Sequence, residues 1–120
     1  PAPPQPSVAP PMPMSKAAVL WDVDGTLVES TKLAFCATNE VLVAEGYAQV
    51  ELDSYKVGCR FATPERFNFH IGAPSGSEQG AQLGRIFDSL YVARVSPQTT
   101  ALFEGIRATV DELAAAAHPQ

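Results

Sequence analysis

The sequence is short of cysteine, of basic charge and of long apolar runs, and each shortage excludes a class of protein. Two cysteines in 120 residues, Cys36 and Cys59, are too few for a disulfide framework, so we expect small buried side chains in a reducing compartment. Eight basic against 13 acidic residues leave a net charge of −5, which argues against nucleic acid or an anionic membrane as the main partner. No run approaches the roughly eighteen apolar residues that span a bilayer. We therefore expect a cytoplasmic or organellar protein without a membrane or nucleic-acid partner.

Prolines are concentrated at the start of the chain. Residues 1–13 hold seven of the 11 prolines and lack apolar periodicity, which predicts a disordered or polyproline-like leader over residues 1–14. The leader has neither the basic start nor the apolar centre of a signal peptide.

Helical patterns account for most of the remaining chain. Ser30 is a plausible N-cap and Gly46 a stop for a first helix. An apolar stripe that includes Leu83 and Phe87 indicates a long core-facing helix. His70, near a helix end, is expected to be solvated or to cap the helix. The predicted helices are 31–45, 52–57, 63–70, 78–95 and 105–117.

One stretch carries candidate chemistry. The apolar run 17–21 has the length of a strand buried in a parallel sheet, and Asp22 and Asp24 follow it where such sheets bind ligands. Residues two apart in a strand point the same way, so both carboxylates are expected to face one pocket. Two close acids need a compensating cation, and Mg²⁺ suits oxygen ligands. A calcium loop is excluded because Gly25 would stand at position four and Leu33 at position twelve.

The stretch Asp22-Val23-Asp24-Gly25-Thr26 resembles the first motif of the haloacid dehalogenase superfamily, and the following Leu-Val-Glu-Ser resembles its phosphoglycolate phosphatase and β-phosphoglucomutase branch. The resemblance implies that Asp22 is the nucleophile and Asp24 the general acid. It also implies Mg²⁺ held by the Asp22 carboxylate and the Asp24 carbonyl, phosphate contacts at Gly25 and Thr26, and a small phosphorylated metabolite as substrate.

The resemblance also implies an α/β fold: the first strand of a Rossmann-like core, with an inserted all-helical cap. The expected domains are 15–30 for the core strand and catalytic loop, 31–101 for the cap and 102–120 for a return helix of the core. Within the cap, Arg60 is our candidate for contacting the substrate, with Arg66 and Lys56 as substitutes, because guanidinium suits carboxylate or phosphate.

Three parts of a complete member do not appear before Gln120: a phosphate-binding serine or threonine, a charge-balancing lysine and a further acidic pair. The core sheet is therefore expected to be incomplete, and the remainder of the core domain is needed for a complete site. We expect an N-terminal fragment of a Mg²⁺-dependent phosphate monoester hydrolase with little activity alone. The alternatives are a non-catalytic helical fragment or interaction module and a β-phosphoglucomutase-like phosphotransferase.

Overall fold

The computed structural model describes residues 2–5 and 17–120. The predicted leader over 1–14 lies outside the described residues except for 2–5, which are exposed and have no regular secondary structure. Within the described part of the chain, five helices form and no helix is long and apolar enough to cross a membrane. The helices are α1 (Thr31–Ala44), α2 (Leu52–Gly58), α3 (Thr63–Ile71), α4 (Glu78–Arg94) and α5 (Ile106–Ala115).

All five predicted helices are confirmed, with ends shifted by at most two residues. The N-terminal cap of helix α1 differs from the prediction. Ser30 makes no side-chain capping bond and is buried, whereas the Glu29 carboxylate accepts a hydrogen bond from the Thr31 N–H at 3.0 Å. An acid that accepts an N-terminal N–H also complements the positive end of the helix dipole. Glu29, and not the predicted Ser30, therefore caps the N-terminus of α1.

The core lies between α1, α3 and α4. Phe67 of α3 is fully buried, and its ring meets the edge of Phe87 of α4 at a centroid distance of 5.8 Å. Leu83 and Phe87 confirm the predicted core-facing stripe of α4, although Ile86 stays 36% exposed. The buried apolar residues that form this core are Ala37, Val41, Leu42, Phe67, Leu83 and Phe87.

The strand predicted over residues 17–21 is wrong for the described structure. The segment has no strand pairing, Leu20 is 94% exposed, and Val19 makes one backbone hydrogen bond, to the Pro119 oxygen at 2.9 Å. A strand forms only where neighbouring strands satisfy its N–H and C=O groups. Residues 2–5 and 17–120 contain only two isolated bridges, Asp24 with Val28 and Val28 with Leu102. The Rossmann-like core is therefore not seen, and the described fold is almost entirely helical.

The prediction of buried cysteines is also wrong, since Cys36 and Cys59 are both exposed. The buried positions of α1 include Ala37, Thr38 and Val41, so Cys36 lies away from the core-facing side. Cys59 follows α2 directly. Hydrophobicity alone did not identify which side of each element faces the core.

The two ends of the helical segment lie side by side. The Glu29 N–H donates to the Ala101 oxygen at 2.8 Å, and the Phe103 N–H donates to the Leu27 oxygen at 3.0 Å. The chain therefore leaves the motif at residues 27–30 and returns beside it at 101–103.

We predict that Gly80→Ala destabilises the fold by about 1–3 kcal/mol, because a Cβ there would overlap Asn68 Oδ1 and the Pro64 oxygen. Asn68 is 1% exposed and accepts the Gly80 N–H, so it has little freedom to move away. Urea unfolding measures the change.

Gly84→Ala in the same helix is the matched control. Its Cβ would meet neighbours at 3.6 Å, an ordinary contact, and alanine favours the helix by up to about 1 kcal/mol. Equal losses in the two variants would show that α3 and α4 do not approach each other as described.

Candidate active site

The motif forms a tight turn around the carbonyl oxygen of Val23. The N–H groups of Thr26, Leu27 and Val28 donate to this oxygen at 3.2, 2.9 and 3.1 Å, and the Gly25 N–H donates to the Val28 oxygen at 2.9 Å. Gly25 has φ +75°, a left-handed conformation that glycine adopts without steric cost. These amides are therefore engaged within the turn.

The two motif carboxylates have different surroundings. Thr26 Oγ1 donates to Asp22 Oδ2 at 3.0 Å, and both side chains are exposed. Asp24 and Gly25 line a neighbouring cleft, whereas Asp22 and Thr26 are not among the residues that line it. The alternation expected of a strand does not apply to a turn, which explains why the two carboxylates are not brought to the same wall.

The cleft has a volume of about 500 Å³, a size typical of sites for small molecules. It lies between the motif turn and the helices, and Ser30, the buried residue before α1, lies on its wall. The remaining lining residues come from α1, α2, the turn after α2, α3 and α4: Thr31, Ala34, Tyr55, Cys59, Thr63, Arg66, Phe87, Asp88 and Tyr91. The motif turn thus forms part of one wall, and helices of the predicted cap form the others.

Arg66 is the basic group of this cleft within the described chain. Its side chain lines the cleft although the residue is only 8% exposed. The guanidinium carbon lies 4.7 Å from the ring centroid of Phe87, 5.5 Å from that of Tyr55 and 5.6 Å from that of Phe67. Nε and Nη2 are buried and have no hydrogen-bond partner. A positive charge is therefore held among aromatic rings with two donors unsatisfied.

Gly58 makes room for this arrangement. A Cβ at this position would lie 2.7 Å from the His70 ring and 3.2 Å from Arg66 Cγ. The His70 ring also stacks on Tyr55 at 6.2 Å, and both of its nitrogens are buried without a partner. The expectation that His70 is solvated or caps the helix is therefore wrong. Burial and the neighbouring Arg66 charge lower the pKa of His70, which favours the neutral ring.

The structure does not bring Arg60 to the cleft. Arg60 is exposed in the turn after α2, and its guanidinium lies 4.9 Å from the Phe61 ring centroid. Arg66, in α3, is instead the arginine that lines the cleft among the described residues. A sequence signal existed, because Arg66 stands directly before Phe67 in the short amphipathic helix α3 and so borders its core-facing side.

The pKa shifts of two tyrosines in the cleft follow from burial and from the charges around them. Burial raises the pKa of Tyr91, and the negative charge of Asp24 raises it further. Burial also raises the pKa of Tyr55 strongly, while the Arg66 charge opposes that rise. Asp24 and Arg66 therefore act on tyrosines of the same cleft.

The motif offers carboxylate oxygens, which are the type of donor atom that Mg²⁺ prefers. Asp22 and Asp24 offer exposed carboxylate oxygens, and Mg²⁺ commonly takes one or two protein carboxylates, with water and substrate phosphate completing the shell. Among residues 2–5 and 17–120, no group of three or more His, Cys, Asp or Glu side chains is arranged to hold a metal. Two carboxylates of a suitable type are therefore present, but the described residues do not form a metal site.

Comparison with known proteins agrees with the motif. A family model described as haloacid dehalogenase-like hydrolase matches residues 19–119. A phosphoglycolate phosphatase of Caulobacter vibrioides is 30% identical over 104 residues, which are 83% of this chain and 43% of that protein. The chain therefore spans less than half the length of this relative. No solved structure matches significantly. The resemblance inferred from residues 22–30 is confirmed.

We predict that the protein loses stability as the pH falls from about 7 to about 5. His70 has a lowered pKa in the folded state, so below the ordinary value of 6.5 the unfolded chain binds a proton more readily. His70→Gln should flatten this part of the profile of unfolding free energy against pH. Urea unfolding at a series of pH values measures it.

His118→Gln is the control, because His118 is exposed near the end of the chain. Carboxylates with lowered pKa values, Glu40 and Glu65, titrate below this window. An unchanged slope in His70→Gln would contradict the buried neutral imidazole.

Proposed function

The chain belongs to the haloacid dehalogenase-like hydrolases, and on that premise we propose that it carries the catalytic aspartates of a Mg²⁺-dependent phosphate monoester hydrolase. The single observation that supports this most is that Asp24 and Gly25 of the motif line a cleft whose other walls are helices, while Thr26 of the same motif donates to Asp22. We propose that residues 31–101 act as the cap and that 15–30 and 102–120 belong to the core.

In the proposed reaction, an Asp22 carboxylate oxygen attacks phosphorus, and the bond between phosphorus and the ester oxygen breaks. Asp24 donates its proton to the departing alkoxide. Asp24 then takes a proton from water, whose oxygen attacks the aspartyl phosphate and releases inorganic phosphate and free Asp22. Covalent catalysis divides hydrolysis into two easier steps, and a positioned acid assists the first.

Thr26 supports the nucleophile in this proposal. Its hydroxyl donates to Asp22 Oδ2 and so limits rotation of the carboxylate. The Gly25 and Thr26 amides bond within the turn and the Thr26 hydroxyl donates to Asp22, so a phosphate contact at either residue requires one of these bonds to be exchanged. Phosphate binding at Gly25 and Thr26 remains a prediction.

The proposed Mg²⁺ would be held by the Asp22 carboxylate and the Asp24 carbonyl oxygen. When bound, it would offset the negative charge of the carboxylates and the phosphate. We also propose that the rest of a core domain supplies further charge-balancing groups, because two carboxylates form only a partial ligand set.

For the substrate we propose a small phosphorylated metabolite of the phosphoglycolate type. The similarity to a phosphoglycolate phosphatase of Caulobacter vibrioides supports it, as does a cleft of about 500 Å³ lined by both an acidic turn and a buried arginine. The absence of a nucleic-acid or membrane partner and a cytoplasmic location stay predictions.

We predict slow release of p-nitrophenol when the chain is incubated with p-nitrophenyl phosphate and Mg²⁺, and no release in Asp22→Asn. Absorbance of p-nitrophenolate measures it, and Asp53→Asn, on the exposed part of α2, should behave as wild type. Release that persists in Asp22→Asn would contradict the nucleophile. Absence of release from the wild-type chain would favour a non-catalytic helical module.

If Asp24 is the general acid, the rate lost in Asp24→Asn depends on how much the leaving group needs a proton. In the first turnover, Asp24→Asn should slow hydrolysis of 2-phosphoglycolate by roughly 10²–10⁴-fold, because an alkoxide needs a proton as it leaves. The same variant should slow hydrolysis of p-nitrophenyl phosphate far less, because p-nitrophenolate leaves without being protonated. Rapid-mixing measurements compare the two substrates, and equal slowing would refute the assignment.

A further inference from the structure

We propose that Arg66 selects the substrate by binding a carboxylate group of the phosphate monoester. The inference rests on the proposed function, because it assumes that the phosphoryl group is bound at the motif end of the same cleft. It adds a specificity residue on the cap side, in a position different from that of Arg60.

The first argument is that the Arg66 charge has no partner. Nε and Nη2 are buried without a hydrogen bond, and the residue is 8% exposed. The salt bridges within residues 2–5 and 17–120 involve Arg85 and Arg94 and leave Arg66 unpaired. A buried charge without a partner is costly, so the arrangement makes physical sense if an anion completes it during function.

The second argument is the shape of the unsatisfied group. Nε and Nη2 share one edge of the planar guanidinium, and that edge matches the two oxygens of a carboxylate. Phe87, Tyr55 and Phe67 pack around the guanidinium and restrict its orientation. Nε and Nη2 are buried, so the side chain has to turn for this edge to reach a ligand in the cleft that Arg66 lines.

The third argument is the distribution of charge in the cleft. Asp24 and Asp88 supply negative charge to the lining, and Arg66 is the only basic residue among the described lining residues. His70, whose ring stacks on Tyr55, favours its neutral form and adds no competing cation. A small molecule with a phosphate for the motif and a carboxylate for Arg66 would satisfy both ends. A monoester without a carboxylate would leave Arg66 unpaired.

The test compares binding of 2-phosphoglycolate and ethyl phosphate, which lacks the carboxylate, to the 120-residue chain. ¹⁵N NMR monitors the Nε–H signal of Arg66, assigned by its loss in Arg66→Met. We expect this signal to shift with 2-phosphoglycolate and not with ethyl phosphate. Arg66→Met should weaken binding of 2-phosphoglycolate by roughly tenfold to a hundredfold and weaken binding of ethyl phosphate far less. Arg66→Lys, which keeps the charge without the fork, should recover part of the loss.

Arg60→Met is the matched control, because Arg60 is exposed and outside the cleft lining, and it should bind both ligands as the wild type does. Thermal unfolding of each variant checks that its fold is retained, and Arg66→Met is expected to unfold no earlier than the wild type. A large loss of thermal stability with unchanged discrimination would assign Arg66 a packing role and overturn the inference.

Equal weakening of both ligands in Arg66→Met, or no Nε–H shift at millimolar 2-phosphoglycolate, would also overturn the inference. Turnover that survives Asp22→Asn would refute the proposed mechanism instead. Binding of a carboxylate at Arg66 does not depend on the nucleophile, so the two failures are distinguishable.

Discussion

The pairing of residues 27–29 with residues 101–103 is the constraint on which the site depends. Two backbone hydrogen bonds, Glu29 to Ala101 and Phe103 to Leu27, join the ends of a long helical segment. Closing such a loop costs chain entropy, which the packing of Phe67 against Phe87 and its neighbours helps to offset. Since the chain returns beside its starting point, the helices form walls around the motif turn instead of extending away from it.

The cleft combines a stable support with unsatisfied polar groups. Its aromatic residues surround Arg66, and Tyr55 stacks on His70, yet both side chains have buried nitrogens without partners. Natural proteins pair most buried polar atoms, so exceptions that cluster beside a cleft and a family motif are associated with function. The helical core thus holds the Arg66 charge in a place where it contributes little to the stability of the fold.

Much of the fold and the motif could be predicted from the sequence because local signals govern them. Gly46 and Gly72 take left-handed conformations at the ends of α1 and α3, and such ends are visible in the sequence. The strand over 17–21 could not be assessed in this way, since a strand depends on pairing partners at any distance along the chain. Packing between α1, α3 and α4 decides that Arg66 is buried and Cys36 is exposed. The sequence of a single helix does not predict this packing.

The most direct test of this account is whether the motif turn faces the helical cleft. A nitroxide spin label on Cys59, with Cys36→Ser to leave one attachment site, reports on the nearby amides because Cys59, Asp24 and Gly25 line the same cleft. The account predicts strong paramagnetic broadening of the Asp24 and Gly25 amide signals relative to the reduced label. Unbroadened signals at both residues would show that the helices do not enclose the motif, and would contradict it.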